Sequence, residues 1–226
     1  AQVLGAYYRP LYVAEVRARF TAAVASDRPF VERLVHFWAN HFAVSVDKVA
    51  VLGVAGAYER EAIRPHVLGR FEDLLFAVER HPAMLLYLDN IQSAGPGSPL
   101  ARRASAARRR RDPGLNENLA REILELHTMG VGGGYSEADI SALARVISGW
   151  SFVRGWEADG RYNGGNRGNR GRFIFRSQWH EPGNQRMLGN YRPFAYFCII
   201  TYGCMHAYYC IIHDSSTMNH NHVPNG

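Results

Sequence analysis

Apolar residues recur through the first 150 positions at intervals of three and four, the spacing that lines one face of an α-helix. Glycine and proline break these runs into short lengths. A chain patterned this way folds as several packed helices, not as a parallel sheet or a sandwich. The spacing predicts a helix over 10–25, with Pro10 at its first position, and a second from about Pro29 to Phe42, capped by Asp27 with Glu32 in its first turn. Two more are expected over 57–67 and 71–79, separated by Gly69, and a short one from His81-Pro82 to Leu88. Asn116 reads as the cap of a strong helix reaching Met129, ended by Gly130 and Gly132–Gly134. Ser136 with Asp139 is a capping-box start for a last helix reaching Trp150.

Between and beyond these runs the character changes. Residues 93–114 are rich in Ser, Gly, Pro and Arg and read as an exposed linker, with an Arg-rich loop at 97–113. A Gly/Asn/Arg stretch at 160–172 reads as a second loop. Alternation over 172–180 reads as a strand or half of a hairpin. The fold class expected is therefore mainly α, an irregular multi-helix bundle with one small β element. The first 189 residues would form the helical part, read as a fragment of a larger protein.

From Asn190 to Gly226 arginine ends at Arg192, and Tyr, His, Ile, Cys and Asn take over. Pro193 to Ile212 carries no formal charge and is long enough to span a bilayer. Its Tyr196, Tyr202, Tyr208, Tyr209 and His206 make it a poor membrane helix. The tail reads as aberrant or disordered, and no membrane partner is expected unless 193–212 is genuine.

Charge and cysteine usage remove several function classes. The net charge is +6, and Arg102, Arg103, Arg108, Arg109, Arg110 and Arg111 account for all of it. No aromatic residue interleaves that cluster, and no helix-turn-helix or zinc pattern accompanies it, so a solvated loop is expected and nucleic acid is not. Cys198, Cys204 and Cys210 are odd in number and contain no C-x-x-C pair, which supports neither a disulfide framework nor a zinc knuckle. The triple glycine lacks the strand before it and the Gly-Lys-Ser/Thr after it that a phosphate loop needs. No G-x-S-x-G elbow and no H-E-x-x-H occurs.

Two segments are long and unusual. One is Glu32-Arg33-Leu34-Val35-His36-Phe37-Trp38-Ala39-Asn40-His41-Phe42. The other is Gly114-Leu115-Asn116-Glu117-Asn118-Leu119-Ala120-Arg121-Glu122-Ile123-Leu124-Glu125-Leu126-His127-Thr128-Met129-Gly130-Val131, followed by Ser148-Gly149-Trp150. With Ile63-Arg64-Pro65-His66, His81-Pro82-Ala83-Met84 and Tyr87-Leu88-Asp89-Asn90, they resemble the bacterial family catalogued as domain of unknown function 1800, over about 10–189. The resemblance implies loss of sequence at both ends, since members are typically longer. It supplies no activity. It implies an exported or periplasmic, cell-envelope location, although no signal peptide is visible in this chain.

The chemistry-bearing candidates come from helical wheels. On the second helix Phe30, Val31, Leu34, Val35, Phe37, Trp38 and Phe42 share an arc that includes His41, with Glu32, Arg33, His36 and Asn40 opposite. On the helix after Asn116, His127 falls among Leu115, Leu119, Ala120, Ile123, Leu124 and Leu126, with Glu122 at the boundary. A buried imidazole must satisfy its ring nitrogens, and a carboxylate or a metal does so. His41, His127 and Glu122 are thus candidate ligands for a divalent metal, the one cofactor expected here. The alternative is that both histidines are hydrogen-bonded core residues. Glu122, Glu125, His127 and Arg121 are candidate acid–base residues, and Asn40, Asn118 and Asp89 candidate substrate contacts. The bland counterpart is ordinary i,i+4 ion pairing on a solvated face. The expected function is a cell-envelope enzyme, hydrolytic and metal-assisted, with its site between the two signature helices. The alternative is a non-catalytic structural or protein-interaction module of the envelope, with an envelope protein as its partner.

Overall fold

A computed structural model describes residues 2–107, 114–155 and 170–188. In chain order the described elements are helices α1 (Gln2–Ala25), α2 (Pro29–His41), α3 (Val49–Leu52), α4 (Ala55–Tyr58), α5 (Phe71–Glu79), α6 (Pro82–Tyr87), α7 (Pro99–Ala106), α8 (Asn118–Glu122) and α9 (Glu137–Ile147). Strands β1 (Trp150–Phe152) and β2 (Phe173–Phe175) pair antiparallel, Ser151 opposite Ile174. The chain is mainly α with one small two-stranded sheet, as the patterning predicts. No helix among the described residues is long and apolar enough to cross a membrane.

Two helices change register along their length. α4 runs into a π turn over Glu59–Ile63 and then a 3-10 turn over Arg64–His66. α8 runs into a π turn over Ile123–Thr128, where Met129 N bonds Leu124 O at 3.0 Å and the Thr128 hydroxyl donates to Ile123 O at 2.6 Å. Such wide turns persist only where surrounding packing holds them, and they gather at functional sites.

One apolar core draws on α2, α5, α6, α8 and α9. Val35 of α2 and Phe42 just after it, Leu74, Leu75 and Val78 of α5, Met84 and Leu85 of α6, Leu119 of α8, Ile123 of the π turn that follows, and Ile140, Leu143 and Ile147 of α9 are its sealed members. Burial of such side chains, at about 1.5–3 kcal/mol each, is what holds the short helices together. The capping box at Ser136 and Asp139 is present.

The structure corrects several expectations. Pro10 lies inside α1, not at its start, so this helix absorbs one missing backbone donor. The N-cap of α2 is Arg28, without a side-chain bond, and Pro29 takes the first turn, so Asp27 is not the cap. Residues 99–106 are helix, not loop, because Ser98 accepts from Ala101 N at 3.2 Å and Pro99 suits the first position. The last helix stops at Ile147 instead of Trp150. Gly149 adopts φ +84°, and a side chain there would meet the Arg176 carbonyl at 2.6 Å, so the chain turns and Trp150 enters the sheet.

The wheel of α2 also needs correction. Phe30 and Phe37 are 66% and 59% exposed, whereas Glu32, placed on the opposite face, is buried. Arg64 explains this: its guanidinium donates two bonds of 2.8 Å to the Glu32 carboxylate and a third of 3.0 Å to Glu59. That fork holds the Glu32 carboxyl below its ordinary range, against the opposing effect of burial. Leu126 is 56% exposed because the π turn rotates it off the α-helical face. The arginines at 108–111, most of the 160–172 loop and the tail at 190–226 lie outside the described residues.

Candidate acid–base site

α5 ends on Glu79, and its partner is His127 in the π turn after α8. The His127 Nδ1 lies 2.7 Å from Glu79 Oε1. The carboxylate is 2% and the imidazole 4% exposed. Burial lowers the tendency of the imidazole to hold a proton. The charge and hydrogen bond of Glu79, with the charge of Glu122, outweigh that and leave His127 above its ordinary value. With Nδ1–H donating to Glu79, Nε2 is the atom left. It has no hydrogen-bond partner among the described residues, and it is not one of the side-chain atoms sealed from solvent. Glu79 Oε2 is sealed and has no partner among the described residues.

The surroundings are aromatic. The Phe42 ring meets His127 edge-on at 5.1 Å, and the His41 and His127 rings lie 6.2 Å apart between centroids. Tyr58, at the mouth of the first π turn, donates its hydroxyl to Phe42 O at 2.8 Å. Burial and the nearby Glu79 charge push its phenol well up. Two π turns therefore flank one buried carboxylate. On the far side of Tyr58, His81 accepts from Ala83 N at 3.1 Å and sits 3.4 Å from Glu61. Burial lowers His81 more than Glu61 raises it.

The structure brings together only some of the residues singled out by sequence. His41 and His127 meet: His41 Nε2 lies 3.3 Å from the His127 carbonyl. Glu122 is half-buried and acts on His127 through its charge, without a hydrogen bond of its own among the described residues. No group of three or more His, Cys, Asp or Glu side chains among the described residues is arranged to hold a metal ion. Arg121 bonds Glu125 at 3.1 Å and grips Glu137 with bonds of 3.1 and 2.7 Å, which places both candidates in a surface ion cluster. Asn118 is exposed, its backbone N–H bonded to Asn116 Oδ1, and Asn40 is exposed. Asp89 has φ 57° and is paired with Lys48 at 2.6 Å.

Sequence reasoning missed Glu79. The signal was available: Glu79 lies four residues after Leu75 and next to Val78, a carboxylate on an apolar helix face. Ser148, His180 and Glu181 also lie together, but as a staple. The fully buried Ser148 hydroxyl donates to Arg145 O at 2.6 Å and accepts from Glu181 N at 2.9 Å, while His180 Nδ1 donates to Ser148 O at 3.0 Å. A groove on the outer face of α1 is lined by Ala6, Arg9, Pro10, Val13, Ala14 and Arg17 alone, so no candidate site residue contributes to it.

A mainly helical domain whose core encloses a carboxylate–imidazole pair is thus the class this fold defines. The chain belongs to the family described as protein of unknown function (DUF1800), whose model matches residues 5–202. That match is wider at both ends than the span its motifs mark out. No curated protein and no solved structure matches the chain.

Proposed function

We propose that the chain is part of an enzyme in which Glu79 and His127 act as an acid–base pair, where the end of α5 meets the two signature helices. One observation carries this: the imidazole is buried and held at Nδ1 by a carboxylate, while Nε2 is left without a partner. A carboxylate that accepts Nδ1–H fixes the tautomer and stabilises the imidazolium that forms when Nε2 takes a proton. Glu122, at the edge of the pair, adds negative charge to it. The reaction class this supports is hydrolytic, with His127 withdrawing a proton from water or from a substrate hydroxyl. The envelope location implied by the family resemblance belongs to this proposal too.

The second reading is a structural or interaction module. It is favoured by the near-complete burial of both partners and by the exposed Phe30, Phe37 and Leu126, which suit a protein surface. Turnover of ester, amide and phosphoester model substrates by the full chain separates the two. The acid–base reading expects a pH-dependent rate that falls at least about a hundredfold in His127→Gln, with the fold retained. Undiminished turnover in that variant, or none in the parent, leaves the module reading in possession.

A further inference from the structure

We propose that His41 is a positioning residue for His127, acting by capping the carbonyl at the end of the π turn. The last carbonyls of any helix have no N–H ahead of them and must find donors elsewhere. In the turn after α8 the Ile123 carbonyl is taken by the Thr128 hydroxyl and the Leu124 carbonyl by Met129 N. The loop that follows turns away, with Gly130 at φ +81° and Gly133 N bonded to Gly130 O. Among the described residues no backbone donor reaches the His127 carbonyl. Its partner comes from the other signature helix: His41 Nε2, at 3.3 Å. A carbonyl accepts, so this ring nitrogen carries the proton.

The His41 ring is itself fixed in place. It lies parallel to Phe37 (8°, centroids 6.4 Å apart) and edge-on to Trp38 and Phe42 at 5.4 and 4.5 Å. As the last residue of α2 it also stands at a helix C-terminus, where an imidazole complements the dipole. Phe42 closes the arrangement, since its carbonyl is pinned by Tyr58 and its ring rests on His127. His127 is therefore held at its backbone by His41 and at its ring by Glu79. Without the backbone clamp, the turn is free to relax toward ordinary α register, which rotates His127 away from Glu79. This explains physically why two histidines from distant segments share one interior.

The test is a histidine NMR titration of the full chain with two substitutions. His41→Gln keeps an N–H that can reach the carbonyl, and His41→Leu removes it. In the parent, His127 is expected to show a low-field Nδ1 proton and a titration midpoint above that of free histidine. In His41→Leu the proton signal is lost to exchange and the midpoint moves down. In His41→Gln both are retained. An unchanged His127 signal in His41→Leu, or its loss in His41→Gln, overturns the proposal. Should His41→Leu not fold, the Gln variant decides alone, since it lacks the ring but keeps the donor. The proposal rests on the Glu79–His127 pairing and not on turnover, so a chain with no activity still gives a decisive spectrum.

Discussion

Replacing Glu79 with Gln turns one carboxylate oxygen into an amide nitrogen, hardly alters the size of the side chain and removes one buried charge. The amide oxygen can still accept Nδ1–H of His127, so what is lost is the charge assistance of a bond between groups 2% and 4% exposed. Hydrogen bonds to charged groups contribute about 1.5–3 kcal/mol, and removing one partner of a buried pair outright costs about 3–5 kcal/mol. Glu79→Gln should fall in the first range and Glu79→Ala in the second. The cost should also depend on pH. His127 is raised above its ordinary 6.5 in the folded state. Its contribution is therefore fully present below the unfolded value and is lost as pH rises through the folded value. Urea denaturation of parent and Glu79→Gln at pH 5.5 and pH 8.5, about one unit or more either side of the histidine range, reads this directly. The gap should be larger at pH 5.5. An equal gap at both values, or one that widens with pH, would show that the imidazolium is not what Glu79 stabilises.

Three further outcomes follow from the packing. Arg64→Met removes the fork on Glu32. With the guanidinium 27% exposed, the cost is screened to about 1 kcal/mol in urea denaturation. Because Glu32 is depressed in the fold, that contribution is present above its unfolded value and fades as pH falls, so the variant should approach the parent at acid pH. Gly149→Ala should lower stability by about 1–3 kcal/mol, since φ is +84° and the new methyl would press on the Arg176 carbonyl. Asn90→Leu should cost about 1–3 kcal/mol, because the Asn90 amide bonds the carbonyls of Ile147 and Trp150 at 3.3 Å and would leave both buried without it. Thermal melts of the two variants check these values.

How far the sequence reached is clearest at α2 and α8. Periodicity placed both helices within a few residues and put His127 inward. It could not show that Glu32 is buried, because its partner Arg64 lies on a segment far along the chain. It could not anticipate the π turns either, since local spacing assumes one register throughout, and so Leu126 came out on the wrong face. The helix at 99–106 was hidden by arginines that suggest solvent, although Ser98-Pro99 is a legible start signal. Glu79 lies outside the two signature segments that carry the histidines. The rule applied to them, a polar group on an apolar face, also selects it.

The account depends on His127 presenting a bare Nε2 while Glu79 holds the other nitrogen. Two-bond nitrogen–proton correlation spectra of the imidazole, recorded on the alkaline side of its titration, report the tautomer without reference to any substrate. The structure requires the Nδ1–H form at His127, and its conversion to a mixture in Glu79→Ala. An Nε2–H form in the parent chain would mean that the pair is oriented the other way, and would contradict the account.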